Sequence, residues 1–136
     1  MGVTKTNAPR LLQDFGIDWW FAPLEKISDV GSPALVAELL VLQRQGDFEK
    51  KQTPAAIRTA SNFEENSLLF EFDTPLAESV NRRTIAKAVF RPVSTAKGGP
   101  PSLYCLWISS LVSVAESDYR SKLDGMRDSF QIIDRK

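Results

Sequence analysis

The residue types that carry most acid–base and metal chemistry are nearly missing from this chain. Its 136 residues include no His and a single Cys, Cys105. No intrachain disulfide and no Cys/His zinc site can be built. Ser-His, Cys-His and His-metal catalysis are excluded with them. Asp, Glu, Lys and Tyr remain, so an enzyme is disfavoured, and the chain reads as a non-catalytic binding or structural protein. Cys105 lies between Tyr104 and Leu106 and reads as a small buried hydrophobe, with no His or close Lys to lower its pKa.

The charged residues offer more. Arg82, Arg83, Lys87, Arg91 and Lys97 form a basic run with no acidic member. Two readings stand open. One is a solvated strand edge whose cations block edge-to-edge aggregation. The other is a docking patch for an acidic partner. Glu64, Glu65, Glu71 and Asp73 could hold a hard cation weakly, but no EF-hand spacing is present and solvated charges are the simpler account. No P-loop or GxGxxG occurs, and Gly98-Gly99-Pro100-Pro101 is a turn. No cofactor or metal site is read from the sequence. Trp19-Trp20 points one ring to each side of a strand. Core packing accounts for both, and the alternative is that Trp20 anchors an interface.

Net charge is zero, yet residues 1–80 carry 7 basic and 12 acidic side chains and residues 81–136 carry 10 and 5. A balanced chain is a poor nucleic-acid ligand. The dipole either cancels within the fold or serves docking to a patterned protein surface. The longest apolar stretch, 103–115, is broken by serines and short of the ~20 residues a bilayer helix needs, so direct membrane insertion is not expected. No apolar leader is visible, and the chain reads as a mature or cytosolic form. Residues 1–6 fit the pattern for acylation at Gly2, a short pattern that chance often produces.

These residues must be positioned by a single domain, which at this length can bury a core without staples. Residues 1–14, with Pro9, read as a polar arm ordered by a partner, and 15–136 as the domain. A strand is expected over 17–22, stopped by Pro23. Ser32 caps a helix with Pro33 at its first position. Leu35, Leu39 and Leu42 form its stripe, Val36 and Leu40 lie beside it, and Gly46 is its stop. Strands follow over 55–63, 67–74, 83–91 and 102–112, with a turn over 75–81 that includes the approach to Arg82 and Arg83. A final helix is capped by Ser113 with Glu116, or by Ser117, and carries a Tyr119, Leu123, Met126, Phe130 stripe. Strands with apolar residues on both faces call for helices on both sides of one twisted antiparallel sheet, an α+β fold in the form of an α/β/α sandwich.

The order of motifs resembles the PsbP family. Ile27-Ser28-Asp29-Val30-Gly31-Ser32-Pro33 ahead of an apolar helix is similar to the family's turn into its first helix. The segment 56–72 resembles its next two strands, Leu103-Tyr104-Cys105-Leu106-Trp107-Ile108 its "LY" strand, and Ser129-Phe130-Gln131-Ile132-Ile133 its closing motif. The resemblance covers residues 15–133. It implies the PsbP sandwich, the chloroplast thylakoid lumen, and an extrinsic, non-catalytic subunit or assembly factor, a monomer within a larger complex. Photosystem II on its oxygen-evolving side is the expected partner. Photosystem I or the NDH complex are alternatives, as is a soluble adaptor of the same fold that binds a small GTPase outside the chloroplast. The metal-binding His residues of some relatives have no counterpart here, and a divergent algal member fits best.

Overall fold

The computed structural model describes residues 2–17, 24–45, 56–62, 66–77, 80–92 and 101–131. It has a mixed α+β fold built on a five-stranded antiparallel sheet in the order β1-β5-β4-β3-β2. The strands are β1 (Gly2–Asn7), β2 (Ala56–Asn62), β3 (Ser67–Ala77), β4 (Val80–Arg91) and β5 (Ser102–Leu111). The helices are α1 (Ala8–Asp14), α2 (Ile27–Val30), α3 (Pro33–Gln45), α4 (Val112–Ala115) and α5 (Arg120–Asp128). Among the described residues no helix is long and apolar enough to cross a membrane.

The pleat divides the sheet into two unlike faces. Leu68, Phe70, Phe72, Ala86, Ala88, Phe90, Leu103, Cys105 and Trp107 point one way and pack with α1, α2 and α3. Ile85, Leu106 and Ile108 point the other way, against Leu123 of α5 and the half-buried Phe130. Period-2 alternation puts the two sets in the same strands.

The first fourteen residues correct the expectation of an arm. Residues 2–7 add to the sheet as β1, paired to β5 from Gly2↔Trp107 to Asn7↔Ser102. Residues 8–14 form α1, whose Ala8, Leu11 and Leu12 are buried. The helix is punctuated at both ends. The Asn7 side chain accepts the Arg10 N–H at 3.1 Å. At the other end Gly16 takes the left-handed φ of 70° while Ile17 N–H reaches Leu12 O at 2.8 Å and Gly16 N–H reaches Gln13 O at 3.0 Å. That pattern is a Schellman cap, which needs a residue without Cβ strain at the turn. The strand expected over 17–22 lies outside the described residues beyond Ile17.

Helix α3 starts where the sequence predicts. The Ser32 hydroxyl accepts the Leu35 N–H at 3.3 Å and Ser32 O accepts the Val36 N–H at 2.9 Å. Upstream, the Asp29 carboxylate accepts the N–H groups of Glu25 and Lys26, each at 3.0 Å, and so opens α2. A Cβ on Gly31 would lie 2.8 Å from Leu35 Cδ2, so the turn between the helices passes close beneath that side chain. The buried stripe is Val36, Ala37, Leu40 and Val41 with Leu39, while Leu35 and Leu42 are half-buried. The core-facing row is therefore rotated from the predicted one. The hairpin turn before β3 places Asn66 at φ 64°, where its Oδ1 accepts the Ile27 N–H at 3.1 Å and ties α2 to the sheet.

Two further expectations change. Strand β3 runs through 75–77 with a register shift between Pro75 and Ala77, which accommodates the missing proline donor, so Arg82 and Arg83 lie inside the ladder opposite Thr74 and Asp73. The last helix is split into α4 and α5. Ser117 sits at the break, where its Oγ donates to Val114 O at 2.6 Å and accepts the Tyr119 N–H at 3.2 Å. Tyr119 is 54% exposed and Met126 44% exposed, while Leu123 and Arg127 face the sheet. The buried row of α5 runs through Leu123 and Arg127, and Tyr119, at the N-cap, and Met126 lie off it.

Candidate functional site

The structure separates the basic run instead of gathering it. Strand β4 is the middle of the five, paired on both sides, so the run is not a solvated edge. Alternation sends Arg83, Lys87 and Arg91 to the α5 face and Arg82 to the α3 face.

Arg83 is buried, and its guanidinium is spent on two carboxylates. Nε and Nη2 grip Asp73 at 2.8 and 3.1 Å, and Nη1 reaches Glu116 Oε1 at 3.1 Å. The register sets this contact, since Asp73 is the direct cross-strand neighbour of Arg83. The fork-to-carboxylate bonds hold Asp73 below the usual carboxylate range and push the Arg83 pKa up. Arg58 adds a third member at 3.4 Å from Asp73. Lys87 is also buried and donates from Nζ to Asp128 O at 2.8 Å, which holds the C-terminal end of α5 on the sheet. Glu71 takes Arg120 of α5 at 3.0 Å. Arg91 is half-buried at the end of β4, opposite Ser102. Arg83, Lys87 and Arg120 fasten α5 and the C-cap of α4 to the sheet, so Arg83 and Lys87 are buried and not presented as the expected docking patch. Glu71 and Asp73 are bound to arginines and not to a cation site. Among the described residues no group of three or more acidic or thiol side chains is placed to hold a metal. Trp20, Lys97, Glu64 and Glu65 lie outside the described residues.

Arg82 differs. It is exposed, and among the described residues it has no carboxylate partner. Its electrostatic neighbour is another cation, Arg44 in the last turn of α3. Burial and the Arg82 charge lower the Arg44 pKa. Arg44 lies over the Trp107 ring with Cζ 4.7 Å from the centroid, a cation–π contact worth about 0.5–1 kcal/mol at such a site. It also sits where the helix dipole favours positive charge.

Trp107 is the floor of this place. It is 2% exposed and meets Phe70 and Phe72 edge-on at centroid distances of 5.5 and 6.0 Å. Its Nε1 donates to Thr4 Oγ1 at 2.8 Å, which satisfies the buried indole N–H. The neighbouring Thr6 hydroxyl donates to Gln43 Oε1 at 2.8 Å and bridges β1 to α3. Between these two elements opens a cleft of about 240 Å³ lined by Thr4, Lys5, Thr6, Leu40, Gln43, Arg44 and Trp107. None of the lining residues is acidic. The cleft offers two cations with hydroxyl and amide groups, an arrangement that can bind an anionic group.

Sequence reasoning selected Arg82 and missed Arg44 and Trp107. Arg44 reads as an ordinary basic C-terminal residue of a helix, and Trp107 as one more apolar residue in a strand. Their pairing is a crossing between elements that no local pattern encodes. Cys105 is buried as expected, and burial pushes its thiol pKa up. No family model, no curated protein and no solved structure matches the chain.

Proposed function

We propose that this chain is a non-catalytic extrinsic subunit of PsbP type, an α/β/α sandwich held by surface charge on the lumenal face of a photosystem, with photosystem II as the partner. The observation that carries the reading is the exposed pair Arg44 and Arg82, two neighbouring cations with no carboxylate to neutralise them among the described residues. A fold that neutralises Arg83, Arg120 and Arg127 internally yet leaves this pair open presents a positive surface to an acidic one.

The residues of the resemblance support it by what they do. Asp29 opens α2, Gly31 passes beneath Leu35, and Ser32 caps α3. Leu103 is fully buried and Phe130 closes over the second core. On this reading the block covers part of the lumenal surface and limits loss of inorganic ions from beneath it.

The test is rebinding. Purified chain is mixed with salt-washed thylakoid membranes and sedimented across a salt titration, in parallel with isolated photosystem II and photosystem I. Binding to photosystem II at low ionic strength, released as salt is raised toward about 1 M, is the expected result. Failure to sediment with thylakoids at any salt overturns the reading, and retention on photosystem I alone moves it to that complex.

A further inference from the structure

Strand β1 is the outer strand of the sheet, and its backbone parity can be read from one bond. Ala8 N–H donates to Pro101 O at 2.9 Å, and these two positions continue the β1–β5 register. In an antiparallel pair such a bond marks the residues whose N–H and C=O groups face the partner strand. Even-numbered positions of β1 are therefore turned toward β5. Val3 and Lys5 turn their N–H and C=O groups outward, with no strand beyond them among the described residues.

The side chains along this edge have a consistent character. Val3 is 58% exposed. Lys5 lies over Tyr104 with Nζ 5.5 Å from the ring centroid. On the other side of the pleat Thr4 and Thr6 border the cleft that holds Arg44 above Trp107. A strand laid along β1 would thus meet two outward donor–acceptor positions, the exposed Val3 side chain, and cations on both faces.

From this geometry we propose that the β1 edge, with the Arg44 cleft beside it, docks an extended acidic segment of a partner protein by β-strand addition. Backbone bonds to Val3 and Lys5 give the segment its register. Neighbouring side chains of the segment, which point to opposite faces, place one carboxylate at Arg44 in the cleft and another near Lys5. A second copy of this chain is the less suitable occupant, because it would bring Lys5, Arg44 and Arg82 of two molecules together. The inference rests on the docking reading above and names its surface and the partner's chemistry. It does not depend on which complex supplies the segment.

The test uses the full chain, isotope-labelled, and an acetylated, amidated octapeptide of repeating Glu-Glu-Val-Val, which as a strand offers carboxylates on both faces. Expected is saturable binding that slows amide exchange at Val3 and Lys5 and leaves Thr4 and Thr6, already paired to β5, unchanged. Replacing Glu by Lys in the peptide, or methylating its alternate backbone nitrogens, weakens binding by about tenfold or more. Arg44→Glu does the same. Val3→Pro removes an outward donor without touching the β1–β5 bonds, so it abolishes peptide binding while the thermal midpoint holds. Binding that is indifferent to N-methylation, or absent, overturns the proposal whether or not the proline variant folds. Self-association that protects the same edge without peptide assigns it to a second copy and also overturns it. If the octapeptide binds as expected while the chain fails to sediment with thylakoids, the photosystem reading falls and the edge stands. If Val3→Pro rebinds thylakoids at full strength, the edge falls and the photosystem reading stands.

Discussion

On the side of the sheet that faces α3, Phe70, Phe72 and Trp107 interlock beneath Leu40, Val36 and Leu11, with side-chain hydrogen bonds such as Trp107 to Thr4 and Thr84 to Ser109, each at 2.8 Å. On the side that faces α5, the same strands present Glu71, Asp73, Arg83 and Lys87, with a small apolar group of Ile85, Leu106, Ile108 and Leu123 between them. One face is held by area removed from water, the other by directed charge. The contrast explains why neighbours in sequence have opposite fates. Arg82 falls on the thick apolar face, finds no carboxylate there among the described residues, and lies exposed at the rim beside Arg44. Arg83 falls on the thin face and finds Asp73 directly across the strand.

The largest effect is expected on the apolar side. Phe70 is fully buried, and Phe70→Ala leaves a cavity against Trp107 that costs about 4 kcal/mol in urea unfolding. Leu123→Ala, the corresponding truncation on the thin face, costs about 2 kcal/mol, since Leu123 packs against few apolar neighbours and its site collapses readily. Equal losses would mean the second face carries more of the core than its small cluster suggests.

Arg83 and Arg82 give the next contrast. Arg83→Ala leaves Asp73 with its better partner gone, while the weaker Arg58 contact at 3.4 Å remains. A loss of about 3 kcal/mol is expected. Arg82→Ala changes stability by less than about 0.5 kcal/mol, and its effect is confined to partner binding at low salt. If Arg83→Ala were neutral in stability and impaired docking, the division between structural and surface cations would be wrong.

The parts of this arrangement that the sequence revealed are those whose cause is local. The Gly31-Ser32-Pro33 start of α3, the alternation of β3 and the burial of Cys105 each follow from a few adjacent residues. The helix α1 was equally legible, with Asn7, Pro9 and Gly16 in cap, first-turn and stop positions, but the polar composition of residues 1–7 reads as an arm because an outer strand needs only half its residues to pack. The division of the basic run follows from period-2 alternation alone once β4 is known to begin at Val80 and not after a longer turn. The meeting of Arg44 with Trp107 was not legible. It depends on how far α3 has rotated over the sheet, and that rotation is decided by packing between distant residues such as Val36 and Phe70.

Acid should act on the charged face first. The Arg83 bonds hold the Asp73 carboxyl below its ordinary value, so the folded state gives up this proton more readily than the unfolded chain does. The stabilisation is complete above the unfolded aspartate pKa of about 3.9 and is lost as pH falls through the lower folded value. Between about pH 5 and pH 2.5 the urea midpoint of the wild-type chain should fall further than that of Asp73→Asn, by an amount smaller than the Arg83→Ala loss. Parallel curves for the two proteins would show that Asp73 does not fasten this face.

A gain in stability, not a loss, tests how α5 is held. Gly125 lies in the middle of that helix, and a Cβ placed on it meets nothing within 4 Å. Gly125→Ala adds no contact and removes backbone freedom from the unfolded chain, so it should stabilise by about 1 kcal/mol if α5 is part of the cooperative unit. The apolar face would not change. If α5 instead frays independently, hung on Lys87 to Asp128 O and Arg120 to Glu71, global stability stays put. The gain then appears as slower amide exchange within residues 120–128 alone. The two outcomes separate a face that folds with the core from one that closes onto it afterwards.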